Sequence, residues 1–360
     1  MRVAVAMSGG VDSSVAAALL VREGHSVIGV TMRLWDGQEE AGSLCCSVEA
    51  ADDARRVCHQ LGIPHYVLNL QPEFERYVID YFVAEYLAGS TPNPCLECNR
   101  HIKFDVLWGR LAGAGVDYLA TGHYVRLGCD GGRHTLRRAL DRGKDQSYVL
   151  YTLTQEQMAR LLCPLGDLTK EEVRGLAREW GLPVADKAES QDICFVPGGD
   201  YRDFLAGRVG NDAATGSPVR PGPFLDREGR VLGQHRGLPY YTVGQRRGLG
   251  IAWGERVYVT GLDPARNAVL VGPEEDIWGR LLVAAGLNFV SFPPPPGPAA
   301  ALVQVRYRGV PSPATLWPDG SEELKMEFAA GQRSIAPGQA AVFYRDDYVW
   351  GGGRIKARIG

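Results

Sequence analysis

Over its first third the chain alternates between short, nearly continuous apolar runs and longer stretches whose apolar residues recur every three or four positions. The runs "RVAVAM", "SVIGVTM", "HYVLNL" and "DYLATGHY" predict strands, the first of them buried. "SSVAAALLVREG", "VEAADDARRVCHQLG", "PEFERYVIDYFVAEYLAG" and "IKFDVLWGRLAGAG" predict the helices between them. Strands separated by helices imply a parallel sheet with right-handed crossovers. After "DLTKEEVRGLAREWGLPVADK" the rhythm stops, and from about residue 207 glycine, proline and short β-like runs such as "ERVYVTGL" and "NAVLVG" take over. "SFPPPPGP", residues 291–298, reads either as a linker or as a stiff loop inside one domain. Beyond it, "AALVQVRYRG", "LKMEFA" and "AAVFYRDDYVWGGGRI" predict strands of a small barrel or sandwich. The expected fold is α/β: a parallel-sheet domain over residues 1–206, a small connecting domain over 207–279 and a C-terminal β-barrel-like domain over 280–360.

Composition narrows the class. At 360 residues there is room for two or three domains, and 45% hydrophobic with 22% charged residues is ordinary for a soluble globular protein. No apolar run approaches ~18 residues, so no spanning helix and no membrane partner are expected. The N-terminus has no basic region followed by a long apolar core, which points to the cytoplasm. Eight cysteines there are expected to be reduced, catalytic or metal-binding rather than structural disulfides. A net charge of −3 argues against indiscriminate nucleic-acid binding but leaves room for a local basic patch.

The junction of the first strand and first helix, "MSGGVDSSVAA", carries chemistry. Ligands of parallel sheets bind at the carboxyl ends of strands. Glycines allow a sharp turn and close approach, and the free N–H groups of a helix start attract an anion. Ser8, Ser13 and Ser14 add hydroxyls, and Asp12 is a candidate to hold Mg²⁺ or to cap the helix. The stretch is neither a Walker A loop nor G-x-G-x-x-G. "SGGVDSS" resembles the pyrophosphate-binding loop of the PP-loop ATP pyrophosphatase superfamily, whose members cut ATP between its α and β phosphates and leave AMP on an oxygen.

Two cysteine segments bear on the acceptor. "GSTPNPCLECNRHIKF" holds Cys95 and Cys98 as C-x-x-C, and "AESQDICFVPGGDY" holds Cys194. A C-x-x-C can be a redox pair or half a zinc site. A second pair is lacking, since Cys45 and Cys46 have the wrong spacing for a knuckle. Packing is the plain reading of Cys58, within a helical pattern, and of Cys163, at the end of one. Cys129 beside a turn carries no signal. Adenylation of a carbonyl oxygen needs a nucleophile to displace AMP, and thiolates or persulfides are strong ones. A second cysteine can then attack the persulfide.

Seven motifs in order, "AMSGGVDSS", "TPNPCLECNRHIKF", "LATGHYVR", "GKDQSYVL", "ESQDICFVPGGDY", "YTVGQRRGLG" and "GQAAVFY", resemble the bacterial tRNA-specific 2-thiouridylase family over nearly the whole chain. The resemblance implies a tRNA-uridine 2-sulfurtransferase acting on the wobble uridine, position 34, and forming AMP and pyrophosphate. It places the nucleophilic cysteine on Cys98 and the persulfide carrier on Cys194, cycling through a disulfide bond. ATP contacts fall on Ala6, Met7, Ser8, Gly9, Gly10, Val11, Asp12, Ser13, Met32 and Gly122. Contacts to tRNA fall on Asn93, Pro94, Cys95, His123, Lys144, Asp145, Gln146, Arg306, Tyr307 and Gln339. ATP and Mg²⁺ are the implied cofactors, and the persulfide sulfur comes from a donor protein, a cysteine desulfurase or carrier. Several members have aspartate where this chain has Cys95. That leaves three roles open for Cys95: proton sharing, a disulfide with Cys98, or an iron–sulfur cluster with Cys98 and Cys194.

The tRNA reading also has support in charge. Arg133, Arg137, Arg138, Arg142 and Lys144 lie in one segment, Arg246 and Arg247 in "GQRRG", and Arg306 and Arg308 flank Tyr307. Guanidiniums grip phosphates and an aromatic can stack on an unpaired base. "TPNPC" is a candidate wall for a flipped base, with Asn93 offering an amide. The competing readings are a PP-loop ligase with a small-molecule acceptor, which would leave the cysteines idle, and a non-enzymatic nucleotide- and RNA-binding redox module.

Overall fold

The computed structural model describes residues 1–35, 48–188, 193–196, 199–209, 219–320 and 322–359. Four strands open the chain: β1 (Arg2–Ala6), β2 (Ser26–Arg33), β3 (His65–Asn69) and β4 (Tyr118–Ala120). The hairpin β5 (Val125–Asp130) and β6 (Arg133–Arg138) and the short β7 (Leu161–Leu162) follow. A parallel five-stranded sheet has the order β3-β2-β1-β4-β7. Its strands are apolar on both sides because both sides are covered. Val3 and Val5 of β1 join one core with the helices Val11–Arg22, Val48–Gln60 and Lys170–Glu179. Ala4 and Ala6 join another with the helical stretches at 71–87 and 94–112.

Both of those stretches depart from the α-helix. Glu75–Ile79 and Cys98–Val106 are π-helical, and the second begins at the cysteine singled out above. Such widened turns are frequent at functional sites. That helix also starts earlier than its apolar pattern, at Pro94, because Asn93 caps it: its side-chain oxygen accepts from Cys95 N at 3.1 Å. Cys163 follows β7 rather than ending a helix.

Strands β8 (Gly222–Leu225), β9 (Val231–His235), β10 (Tyr258–Asp263) and β11 (Ala268–Gly272) form a separate four-stranded sheet around Phe224, Tyr241, Val259 and Val269. The last six strands are β12 (Trp278–Phe289), β13 (Ala299–Gln304), β14 (Ser312–Asp319), β15 (Glu323–Arg333), β16 (Ala340–Arg345) and β17 (Tyr348–Ile359). They run in the order β12-β15-β14-β13-β16-β17 and close where β12 pairs with β17, a six-stranded antiparallel barrel. "SFPPPPGP" is the stiff loop between β12 and β13, inside the barrel unit. "VRYRG" leaves the strand after Gln304, so Arg306–Arg308 lie in a loop, with Arg308 at φ 59.

One connection is absent from the sequence pattern. The β5–β6 hairpin leaves the parallel sheet and joins the barrel, β6 pairing with β17. Arg133 donates to the Phe289 and Val290 carbonyls at 2.7 and 3.0 Å, and Ser291 Oγ bonds both the N–H and the carbonyl of Leu136. Val290, Ala340, Val342 and Tyr344 of the barrel accordingly belong to the same apolar core as Phe74, Phe82 and Tyr148. Among the described residues no helix is long and apolar enough to cross a membrane.

Candidate active site

The strand order runs outward from β1 in both directions, so the crevice between the carboxyl ends of β1 and β4 is the topological switch point. The glycine-serine loop follows β1. Gly9 has φ +68, and a Cβ there would overlap the Ala50 carbonyl, so only glycine fits. Gly10 is the extended N-cap of the helix Val11–Arg22 and makes no side-chain cap. Asp12 therefore sits inside the first turn and does not cap it. Ser13 Oγ accepts from Ser8 N at 3.2 Å and donates to the Gly10 carbonyl at 3.2 Å, and Ser14 Oγ donates to the same carbonyl at 2.8 Å. The hydroxyls of Ser13 and Ser14 thus shape the loop, and Ser8 is the exposed one. From β4, Gly122 packs on the same helix start: a Cβ would lie 2.7 Å from Ser13 N and 2.8 Å from the Asp12 carbonyl carbon. Met7 N donates to the Val30 carbonyl, and Met32 stands near the end of β2, packed against the core.

Three partners of the loop carried no local signal. Asp12 Oδ1 accepts from Lys170 Nζ at 2.6 Å and from the Tyr124 hydroxyl at 2.7 Å. Lys187 Nζ donates to the Gly9 carbonyl at 3.1 Å and to Asp53 Oδ2 at 2.5 Å. Burial works to raise the Asp53 carboxyl, yet the hydrogen bonds and charges of Lys187 and Arg56 hold it below the usual carboxylate value. An anion-binding helix start is thus flanked by two lysines from distant elements. For Mg²⁺ the residues fit one mode: Asp12 offers a single carboxylate, and Mg²⁺ commonly binds one carboxylate plus substrate phosphates.

The cysteines gather on the opposite face of the sheet. Cys98, at the π-helix start, and Cys194 pack half-buried against the same core. Phe195 pins the second of them, its ring 5.7 Å from Phe74 and 5.2 Å from Phe82 and Phe204. Cys95 is exposed but recessed. Burial in that recess, then the charge of Cys194, push its thiol up to about 11, with Lys103 pulling the other way. The six described cysteines are thiols, and Cys45 and Cys46 lie outside the described residues. Among the described residues no three His, Cys, Asp or Glu side chains converge as metal ligands, so Cys95, Cys98 and Cys194 do not form a cradle for an iron–sulfur cluster.

His123 follows Gly122 and is buried, its Nδ1 2.8 Å from Thr121 Oγ1. Burial, then the Lys103 charge, lower its pKa well below 6.5, so it is neutral at physiological pH. Tyr307, on the barrel loop after β13, lies 6.1 Å from the Tyr148 ring and is 38% exposed. Its hydroxyl is held above the usual value first by burial, and the Cys95 charge adds to this against Arg308, which places Tyr307 beside the Cys95 recess. Arg306, Arg246 and Arg247 are exposed, without ion-pair partners among the described residues.

Other residues singled out for tRNA are already engaged by the protein. Asp145 accepts from Ala139 N, Ser147 N, Ser147 Oγ and Arg138 Nε. Gln146 Oε1 accepts from Tyr124 N at 2.9 Å, and Gln339 Nε2 donates to the Thr91 carbonyl at 3.0 Å. Lys144 is half-buried in the turn before them. Asn93 uses its oxygen as the cap, leaving its amide donors, beside Pro94, toward the recess rim. The basic segment is chiefly a fastening: Arg133 holds the β12 end, Arg138 holds Asp145, and Arg142 pairs with Asp347.

A glycine-serine loop at the switch point of a parallel sheet, opening a helix and flanked by lysines, defines a nucleotide-binding protein of the PP-loop type. A family model described as tRNA methyl transferase HUP domain matches residues 1–198, its PRC-barrel domain 214–273, and an aminomethyltransferase beta-barrel domain model 280–355. The tRNA-specific 2-thiouridylase MnmA of Pelotomaculum thermopropionicum is 54% identical over 99% of this chain and 97% of its own length. That of Moorella thermoacetica is 54% identical over 98% and 99%, and that of Clostridium perfringens 48% over 99% of both. The chain belongs to the tRNA-specific 2-thiouridylase family, and its activity is the ATP-using 2-thiolation of tRNA uridine.

Proposed function

We propose that the chain thiolates the wobble uridine, position 34, of tRNA in the cytoplasm, by adenylation followed by sulfur transfer. The β and γ phosphates of ATP lie on the loop, against the start of the helix Val11–Arg22 and within reach of Lys170 and Lys187. Mg²⁺ bound to the phosphates would offset their charge as pyrophosphate departs. The uridine O2 attacks the α phosphorus, the bond to the bridging oxygen breaks, and pyrophosphate leaves. The terminal sulfur of a Cys194 persulfide, loaded by a donor protein, then attacks C2, and AMP leaves with the C–O electron pair. The Cys98 thiolate attacks Cys194 Sγ, forming the Cys98–Cys194 disulfide and releasing the 2-thiouridine sulfur. A thiol reductant resets the disulfide. Cys95, protonated at neutral pH, serves in neither attack. The domains divide the work: residues 1–206 carry the chemistry, 207–279 connect, and 280–360 supply the Arg306–Arg308 loop over the recess.

The observation that best supports this reading is the packing of Cys98 and Cys194 against one core, next to a recess lined by Cys95 and Tyr307. The test incubates unmodified tRNA with enzyme, ATP, Mg²⁺ and inorganic sulfide with a thiol reductant, and analyses nucleosides by mass spectrometry. One 2-thiouridine per AMP is expected at position 34. Cys98→Ser and Cys194→Ser are expected to lose it while still consuming ATP with tRNA. Full activity in Cys194→Ser sinks the sulfur-carrier role.

A further inference from the structure

The helix Lys170–Glu179 and the segment after it form one unit that grips the pyrophosphate loop at two points. At its start Lys170 holds Asp12, and its backbone N–H donates to Asp141 Oδ2 at 3.0 Å. In its middle Arg174 reaches forward and donates to the Ala185 and Lys187 carbonyls at 3.2 and 3.3 Å. At the far end Lys187 N donates to the Val184 carbonyl, and its ammonium bridges Gly9 and Asp53. Both members of the Lys187–Asp53 pair are largely shielded from water, at 20% and 14% exposure, so solvent competes weakly for the bond.

The place of Lys187 in the chain gives this grip a consequence. Seven residues separate it from Cys194, a span of at most about 25 Å. Phe195 anchors the far side of Cys194 among Phe74, Phe82 and Phe204. The segment bearing the sulfur carrier is thus tied at one end to a carbonyl of the phosphate loop and at the other to the core that holds Cys98. The Gly9 carbonyl cannot move independently, because Gly9 is packed on Ala50 at the start of the helix that carries Asp53. A shift of the loop on taking up phosphates changes the acceptor that Lys187 holds.

We propose that Lys187 is a positioning residue that couples occupancy of the pyrophosphate loop to the placement of Cys194, acting through the Gly9 carbonyl and the Asp53 carboxylate. The inference rests on Cys194 as the sulfur carrier. Adenylation at one end of the site then readies sulfur delivery at the other, so the persulfide advances when ATP is present.

The experiment reads Cys194 rather than turnover. The full-length enzyme is alkylated with iodoacetamide with and without saturating ATP–Mg²⁺, and labelling of the Cys194 peptide is followed by mass spectrometry. ATP is expected to change the wild-type rate by about fivefold or more, the range of ordinary coupling between sites. In Lys187→Met, saturated with ATP at its own Kd, the two rates are expected to agree within about twofold, whereas Lys187→Arg keeps most of the response. A wild-type response in Lys187→Met overturns the proposal, since ATP would then act on Cys194 directly; so does a wild type indifferent to ATP. If Lys187→Met does not fold by thermal melting, Asp53→Asn, which keeps an acceptor but removes the charge, replaces it under the same criteria. Failure of the underlying reading registers separately: Cys194→Ser that still makes 2-thiouridine removes the carrier role whatever the alkylation rates are.

Discussion

Gly122 shows how much one missing side chain matters. Its neighbours are backbone atoms of the helix start that binds phosphate, and backbone cannot swing aside as a flexible side chain would. Gly122→Ala is expected to push Ser13 N and the Asp12 peptide out of line, weakening ATP binding about tenfold or more at small cost to folding. Calorimetric titration with ATP checks this, and unchanged affinity would remove Gly122 from the site. His123 makes a pH prediction of definite sign. Its folded pKa lies well below 6.5, so below about 6.5 the unfolded chain binds a proton that the folded one refuses. Stability is therefore expected to be level above about pH 6.5 and to fall as pH drops further. His65 and His235, both lowered chiefly by burial, act in the same direction. Thermal melts between pH 5 and 8 measure the slope, and His123→Gln is expected to flatten it.

Among elements, the barrel loop at 306–308 and the helix starting at Pro94 define the RNA face. The loop puts two exposed guanidiniums around a half-exposed ring, the chemistry of phosphate grip and base stacking. Arg306→Ala is expected to weaken tRNA binding about three- to tenfold and to lower the salt slope by about one counterion, with ATP affinity unchanged. Binding measured from low to high salt tests both, and an unaltered slope would take Arg306 off the phosphate backbone. Asp145 and Gln339 belong to a different class. Their polar groups brace Ser147 and the Thr91 carbonyl, so they place the tRNA-facing loops rather than touch RNA through those atoms.

On the scale of the whole molecule, the catalytic domain and the barrel are one cooperative body. Hairpin β5–β6 continues the barrel sheet, and Val290, Val342 and Tyr344 complete a core begun by Phe74 and Tyr148. Tyr148 donates to the Ala340 carbonyl at 2.9 Å, and Asn288 donates to the Tyr151 and Leu153 carbonyls. A fragment ending at residue 279 is therefore expected to lack fixed tertiary structure in its first domain. Near-ultraviolet circular dichroism of that fragment is the measurement, and a native-like spectrum with a sharp melt would contradict the shared core.

What the chain alone determined follows from local physics. Apolar runs and three-to-four spacing place the parallel sheet and its helices, because burial on one or both faces is written into neighbouring residues. The loop "SGGVDSS" is legible because its turn, its glycine conformation and its helix start are all made within a few residues. The cysteine motifs are legible as chemistry for a similar reason: thiols are rare and their types few. Contacts between residues more than a hundred positions apart left no such trace. Lys170 and Lys187 read as ordinary surface lysines until the fold carries them to Asp12 and Gly9. The arginines of residues 133–142 read as an RNA patch until the barrel supplies their acceptors. The thiol of Cys95 takes its protonation state from a recess built by three separate segments. Charge and burial are sums over spatial neighbours, so only the tertiary structure could decide them.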